Sequence, residues 1–213
     1  MKHRIAAAAA VLATATATVG AVGAVASAQT AEPVGAKAGT TSIAAVLGTD
    51  GTKLDKNWQD FDLTEAAVLA VLEANPDSPV GLLTQGNKRA TVFVPTDAAF
   101  RSLVRDLTGS TPKSEAQTLE AVASLGTDTI ETVLLYHVIA GKTLTSGKVL
   151  AAEGTKLTTA QGGKIKVQLM KGKVTLVDAD KDDRNPRVTV LDINKGNKHV
   201  AHAIDQVLRP VDL

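Results

Sequence analysis

Cysteine is absent from this 213-residue chain, which excludes a disulfide framework, a lipid-modified cysteine anchor and thiol chemistry. Aromatic residues are scarce: one Trp, one Tyr and three Phe, all lying between Trp58 and Tyr136. So few rings count against a polysaccharide-binding module built on aromatic stacking. A strong net charge is missing too. The 23 basic residues face 22 acidic ones, a net charge of +1, and that balance argues against a nucleic-acid partner. No asparagine has Ser or Thr two places on, so there is no glycosylation sequon. No serine sits in a Gly-x-Ser-x-Gly setting, so a nucleophile elbow is absent as well.

The only long apolar run is at the start. Lys2 and Arg4 precede an Ala- and Val-rich stretch over residues 5–25, and Ala26-Ser27-Ala28 supplies a small-x-small cleavage signature. Residues 1–28 therefore read as a signal peptide; Ala and Thr carry too little hydrophobicity for a retained membrane anchor. The expectation is a secreted protein, extracellular or associated with the cell envelope, with no stable membrane insertion after cleavage. Residues 29–39 are small, polar or Pro/Gly and read as a flexible lead-in. Residues 40–213 are one domain's worth of chain, able to bury roughly 70% of its unfolded surface. Cleavage after Ala28 removes Lys2 and Arg4 and leaves 21 basic against 22 acidic residues, a net −1. The halves differ sharply. Residues 29–136 carry 8 basic and 14 acidic residues (−6), whereas residues 137–213 carry 13 and 8 (+5).

Periodicity gives the coarse order of elements. Residues 43–47 predict a short helix. Residues 64–75 predict a firmer one, with Thr64 as cap, Glu65 in the first turn and Val68, Leu69 and Leu72 as the apolar stripe. Asn75-Pro76-Asp77-Ser78-Pro79 is a turn. Ser114 with Gln117 forms a capping box for a helix through Leu125, and Asp128 with Glu131 starts another carrying Ile130, Val133 and Leu134. From Gly162 the period becomes two. Lys164, Lys166 and Gln168 alternate with Ile165, Val167 and Leu169, and Val174 and Leu176 repeat the pattern after a Lys171-Gly172-Lys173 turn. This predicts a half-buried hairpin, apolar inside and basic outside. Residues 188–193 and 200–204 supply further strands. Helices precede most strands and no βαβ alternation appears, so the class is α+β.

Three segments carry a more specific signal. In TVFVPTDAAFRSLV (residues 91–104), four β-favouring residues run into Pro95, which ends the strand. Thr96 or Asp97 then supplies a capping oxygen, and Phe100, Leu103, Val104 and Leu107 follow at helical spacing. The segment resembles the opening motif of fasciclin domains. LLYHVIAGKTL (residues 134–144) is similar to that family's central Tyr-His motif, and HVAHAIDQVLRP (residues 199–210) to its closing motif. The three occur in the family's order, and the chain resembles a single fasciclin-domain protein of the secreted bacterial type. The resemblance implies a compact, wedge-like β-sandwich with several helices packed at one end. Residues 50–62 then look like an insertion, pinned to the body by Trp58 and Phe61. The closing motif departs in one place: the usual Asn-Gly before the motif His is replaced by Lys198 and His199, with Asn194 and Gly196 slightly upstream.

Candidate chemistry is thin. On a strand, His199 and His202 face opposite ways, and no Glu completes a helical zinc motif, so no metal set is expected from them and His137. His202, between Val200 and Ile204, reads as a core imidazole satisfied by Asp205 or by backbone. Tyr136 and His137, flanked by Leu135 and Val138, read the same way; the resemblance implies that they stabilise the fold and neighbour a surface implicated in adhesion. Asp178, Asp180 and Asp182 have the alternation of a calcium loop. The sixth and twelfth positions are Asp183 and Thr189 in place of Gly and Glu, however, so a solvated hairpin loop is expected. Gly141-Lys142-Thr143 lacks the leading glycine of a phosphate loop, and Ser110-Thr111-Pro112-Lys113 lacks the partner motifs of a β-lactamase.

No catalytic residue and no cofactor are expected. The function implied by the resemblance is non-enzymatic: an extracellular or cell-surface adhesion and interaction module. Its partners would be an extracellular or cell-envelope protein or an anionic polysaccharide, engaged by a monomer. The candidate interaction surface comprises Tyr136, His137, Lys164, Lys166, Lys171 and Lys173. The alternative is a secreted hydrolase, or a binder of small ligands or polysaccharide, on the same scaffold.

Overall fold

A computed structural model describes residues 37–212 except 50 and 52. The expected signal peptide and most of the lead-in lie outside the described residues. Gly39, at the end of that lead-in, is already tied down: it bridges Asn197, and its amide donates to the Gly196 carbonyl at 2.9 Å.

The polypeptide forms α1 (Ile43–Leu47), α2 (Asp62–Ala74), a 3-10 helix (Pro79–Thr84), β1 (Ala90–Pro95), α3 (Asp97–Thr108), α4 (Glu115–Ala123), α5 (Thr127–Tyr136), β2 (Val138–Ala140), α6 (Ser146–Ala151), β3 (Lys156–Thr158), β4 (Lys164–Met170), β5 (Lys173–Val177), β6 (Val188–Ile193) and β7 (His199–Ile204). One sheet has the order β2-β1-β7-β6 and the other β3-β4-β5. β1 and β7 run parallel, with Phe93 opposite His202, so the opening and closing motifs are neighbours in the middle of the larger sheet. Both are buried along their whole length. This is the α+β sandwich expected, with helices covering one face of the larger sheet.

Alternation along β1 divides the core. Phe93 points with Ile139 and Ile204 into a layer shared with Ile165, Val167, Val174 and Leu176 of the smaller sheet. Val92 and Val94 point the other way, against α1, α2 and α5 through Ile43, Val68, Val71 and Leu134. A third cluster, built by Phe100, Leu103, Val104 and Val122, joins α3 and α4 to Leu63 of α2.

Several local expectations are corrected. α2 begins two residues before Thr64, which is buried inside it and donates its hydroxyl to the Pro95 carbonyl at 3.0 Å. The buried stripe of α2 uses Leu63, Ala67, Val68 and Val71, and Leu69 is exposed. Asp97 does not cap its own helix. Its Oδ1 accepts from the Leu63 amide at 3.1 Å, satisfying a free first-turn N–H of α2. Asp128 lies within α5, whose N-cap is Gly126. Ser114 does cap α4 through the Gln117 amide. Trp58 and Phe61 hold residues 53–61 as expected. Arg101 sits 4.5 Å above the Trp58 ring, and Phe61 packs on the α1–α2 core.

Candidate interaction surface

The hairpin β4–β5 turns on Lys171 (φ 52°) and Gly172 (φ 74°), with Met170 and Lys173 closing the ladder. Two successive positive φ values define the turn whose twist matches a hairpin, and glycine takes its share at no steric cost. Residues facing each other across antiparallel strands share a face. Thr158 faces Lys164, Lys156 faces Lys166, and Met170 faces Lys173. Ile165, Val167, Val174 and Leu176 occupy the opposite, buried face. Lys164, Lys173 and the half-buried Lys166 thus share one face of the hairpin, a ribbon that runs for roughly 20 Å along β4, with Lys171 at its tip. The structure adds Lys156, which the sequence reading missed because β3 has only three residues and no clear alternation. Among the described residues, none of these five lysines is ion-paired.

Neither Tyr136 nor His137 is on this surface. Both are buried, Tyr136 to 1% and His137 to 3% exposure. The Tyr136 hydroxyl donates to the Lys164 carbonyl at 2.9 Å, so the ring anchors the first residue of the ribbon. Burial, with the Asp178 charge adding to it, pushes that hydroxyl up to about 12. A side chain at Gly163 would meet the Tyr136 ring at 2.7 Å, which explains the glycine beside β4. The His137 Nδ1 donates to the Val133 carbonyl at 2.7 Å, and its Nε2 accepts from the Leu208 amide at 2.9 Å. Burial lowers the imidazole to about 4.

His202 has backbone partners on both sides: Nε2 with the Leu144 carbonyl at 2.7 Å and Nδ1 with the Asp192 amide at 3.2 Å. Asp205, the other partner considered for it, instead accepts from Arg184 and from the Arg187 amide. The amide that His202 holds belongs to an irregular stretch of β6 where Asp192 adopts φ 63°. Turned that way, Asp192 accepts from the amide and hydroxyl of Ser146, both at 2.6 Å, at the start of α6. The turn displaced from the usual Asn-Gly position lies at residues 194–197, where Asn194 donates to the Thr41 and His199 carbonyls. His199 is buried, and its Nδ1 accepts from the Ile43 amide at 3.2 Å.

The acidic run at residues 178–185 is not merely a solvated loop. It wraps around Arg209, which is 5% exposed. Asp180 and Asp183 contact the guanidinium at 3.2 Å, as does Asp106 at 3.1 Å, and Asp178 accepts from the Arg209 amide. The loop's one buried carboxylate, Asp180, is thus matched to an internal cation.

A second acidic group lies at the α2–α3 corner. One carboxylate oxygen each from Asp60, Asp97 and Glu115 lies within 4.8 Å of the others, and Asp55 and Asp62 form an overlapping trio with Asp60. Asp97 and Glu115 are 0% and 1% exposed. Burial pushes the Asp97 carboxyl up to about 8; the Leu63 amide opposes this, and the charges of Asp60 and Glu115 push further.

An apolar cavity of about 20 Å³ lies among Phe100, Leu103, Val122, Leu134 and His137, far below the roughly 300–1,000 Å³ of small-molecule sites. Wider depressions are open clefts, one of about 420 Å³ being formed by residues 125–129.

The family model of the fasciclin domain matches residues 67–210. The chain belongs to the fasciclin-domain family. Its fold is similar to that of a FAS1 domain pair from the insect cell adhesion molecule Fasciclin I, with a TM-score of 0.55 and 17% sequence identity, covering 80% of this chain and 51% of that one. The chain therefore spans about half the length of that domain pair. No curated protein matches it in sequence. The motif pairing described above, with β1 parallel to β7 and the Tyr-His segment leading into β2, is how this fasciclin domain places its three signature segments around one sheet.

Proposed function

We propose that this fasciclin domain is a secreted, non-enzymatic adhesion and interaction module that engages anionic partners through its lysine ribbon. The observation that carries this reading is the face formed by Lys156, Lys164, Lys166 and Lys173, with Lys171 at the tip and no counter-charge paired to any of them among the described residues. Lys156 directly opposes Lys166, and like charges facing each other across strands are destabilising. Lys171 holds a left-handed conformation that costs a side-chain-bearing residue about 1–2 kcal/mol and that Asn or Gly would fill more easily. Charge retained against these costs supports a role in attraction: an anionic polysaccharide or acidic envelope protein would relieve the repulsion.

The family and the adhesion molecule with the similar fold support the same general role. The non-enzymatic reading is supported by His137 and His202, whose ring nitrogens are all held by backbone groups inside the core. Beads carrying residues 29–213 should settle onto cell-envelope fractions and detach as salt rises. Beads carrying a Lys164/Lys166/Lys171/Lys173→Gln variant should settle far less; equal settling of the two would contradict the assignment of the ribbon.

A further inference from the structure

We propose that the α2–α3 corner is a divalent-cation site of calcium size, with Asp60, Asp97 and Glu115 as its carboxylate ligands. The chemistry begins with the free oxygens. Asp97 uses Oδ1 to accept from the Leu63 amide, and Glu115 uses Oε2 to accept from the Asp55 amide. The remaining oxygens, Asp97 Oδ2 and Glu115 Oε1, are buried without a hydrogen-bond partner, and so is Asp60 Oδ1. Among the described residues no lysine or arginine pairs with any of the three. Buried carboxylate oxygens normally have partners, and here the buried Asp97 and Glu115 and the partly exposed Asp60 each bring one buried, unspent oxygen to the same corner.

The spacing is compatible with calcium. Two oxygens bound to one calcium lie at most about 5 Å apart, twice a Ca–O distance. The three carboxylates meet the calcium limit as they stand. Asp55 and Asp62, grouped with Asp60 in the overlapping trio, place two further carboxylates beside the same ligand. The ion would join three separate elements: the segment before α2, the first residue of α3 and the first residue of α4. It would thereby fasten the inserted loop to the strand-to-helix corner that carries the family's opening motif. The competing account of the same orphaned oxygens is a proton shared between Asp60 and Asp97, and the experiment separates the two.

Calcium chloride titrated into metal-free residues 29–213 at pH 7 should give saturable one-to-one heat, with a dissociation constant of about 10⁻⁴ M or tighter. Emission from Trp58, the only tryptophan and two residues from Asp60, should change in step. Asp60→Asn and Glu115→Gln should each weaken binding about tenfold or more. Asp60→Asn changes a partly exposed side chain, so it keeps the test open if the buried variant fails to fold. Asp182→Asn, in the other acidic loop, should bind as wild type. Absence of saturable heat up to about 10 mM calcium, above the range of extracellular modules, overturns the proposal in favour of the shared proton. Binding unchanged in both Asp60→Asn and Glu115→Gln overturns it equally, because the ion would then sit elsewhere.

Discussion

His137 makes a quantitative test of the buried Tyr-His segment. Its imidazole is lowered from 6.5 to about 4 because burial disfavours the charged ring; the bond to the Val133 carbonyl opposes the shift only in part. The folded value lies below the unfolded one, so the stability that neutral His137 contributes is present above pH 6.5 and lost as pH falls toward 4. At about 1.4 kcal/mol per unit, that loss reaches about 2 kcal/mol at pH 5 and about 3 kcal/mol below pH 4. Asp178 acts in the opposite sense. Burial raises its carboxyl from 3.8 to about 6, so its contribution is present below 3.8 and disappears as pH rises through 6. The wild-type profile is therefore a sum, and the His137 part must be isolated by difference. His137→Gln keeps a donor and an acceptor but does not titrate. Urea unfolding of both proteins at pH 7 and pH 5 should show the variant less stable at pH 7. The gap should narrow by about 2 kcal/mol at pH 5. Parallel profiles would refute the reasoning, since they would mean that His137 is not held neutral by burial.

His202→Ala should lower stability by about 1–3 kcal/mol in denaturant melts, because it strands the Asp192 amide and the Leu144 carbonyl; an unchanged midpoint would show that the irregularity in β6 does not depend on it. Arg209→Ala should cost about 3–5 kcal/mol by leaving Asp180 buried without its cation; a loss under 1 kcal/mol would mean that the loop relaxes into water. The exported protein should begin at Gln29, and the intact mass of protein from the medium checks this; a membrane-held species retaining residues 1–28 would contradict it.

Much of this fold was legible where the signal is local. Pro95 ends β1 at the residue expected, Phe100, Leu103 and Val104 turn inward, and the period-two alternation holds over residues 164–168 of the hairpin, with Ile165 and Val167 inside, whereas Leu169, expected inside, is exposed near the turn. What escaped depends on distant partners. Asp97 is a good capping residue by type, but the amide it serves lies on α2, not on its own helix. The run at residues 178–185 reads as solvated because nothing near it in sequence announces Arg209 as the cation it surrounds. The ribbon itself was legible except for Lys156, whose three-residue strand shows no pattern of its own. The acidic corner was not legible at all, since Asp60, Asp97 and Glu115 come from separate elements and form no spaced motif.

The most direct test of the ribbon is retention on an anionic polymer column at pH 7 across a salt gradient. Exposed charges are screened beyond about 8 Å at physiological ionic strength, so retention of the wild-type protein should fall steeply as salt rises. The Lys164/Lys166/Lys171/Lys173→Gln variant, with an unchanged melting midpoint, should elute near the void at low salt. Adding Lys156→Gln should remove what retention is left. Co-elution of wild type and variant at low salt would contradict the account and leave the ribbon as a solvated sheet face.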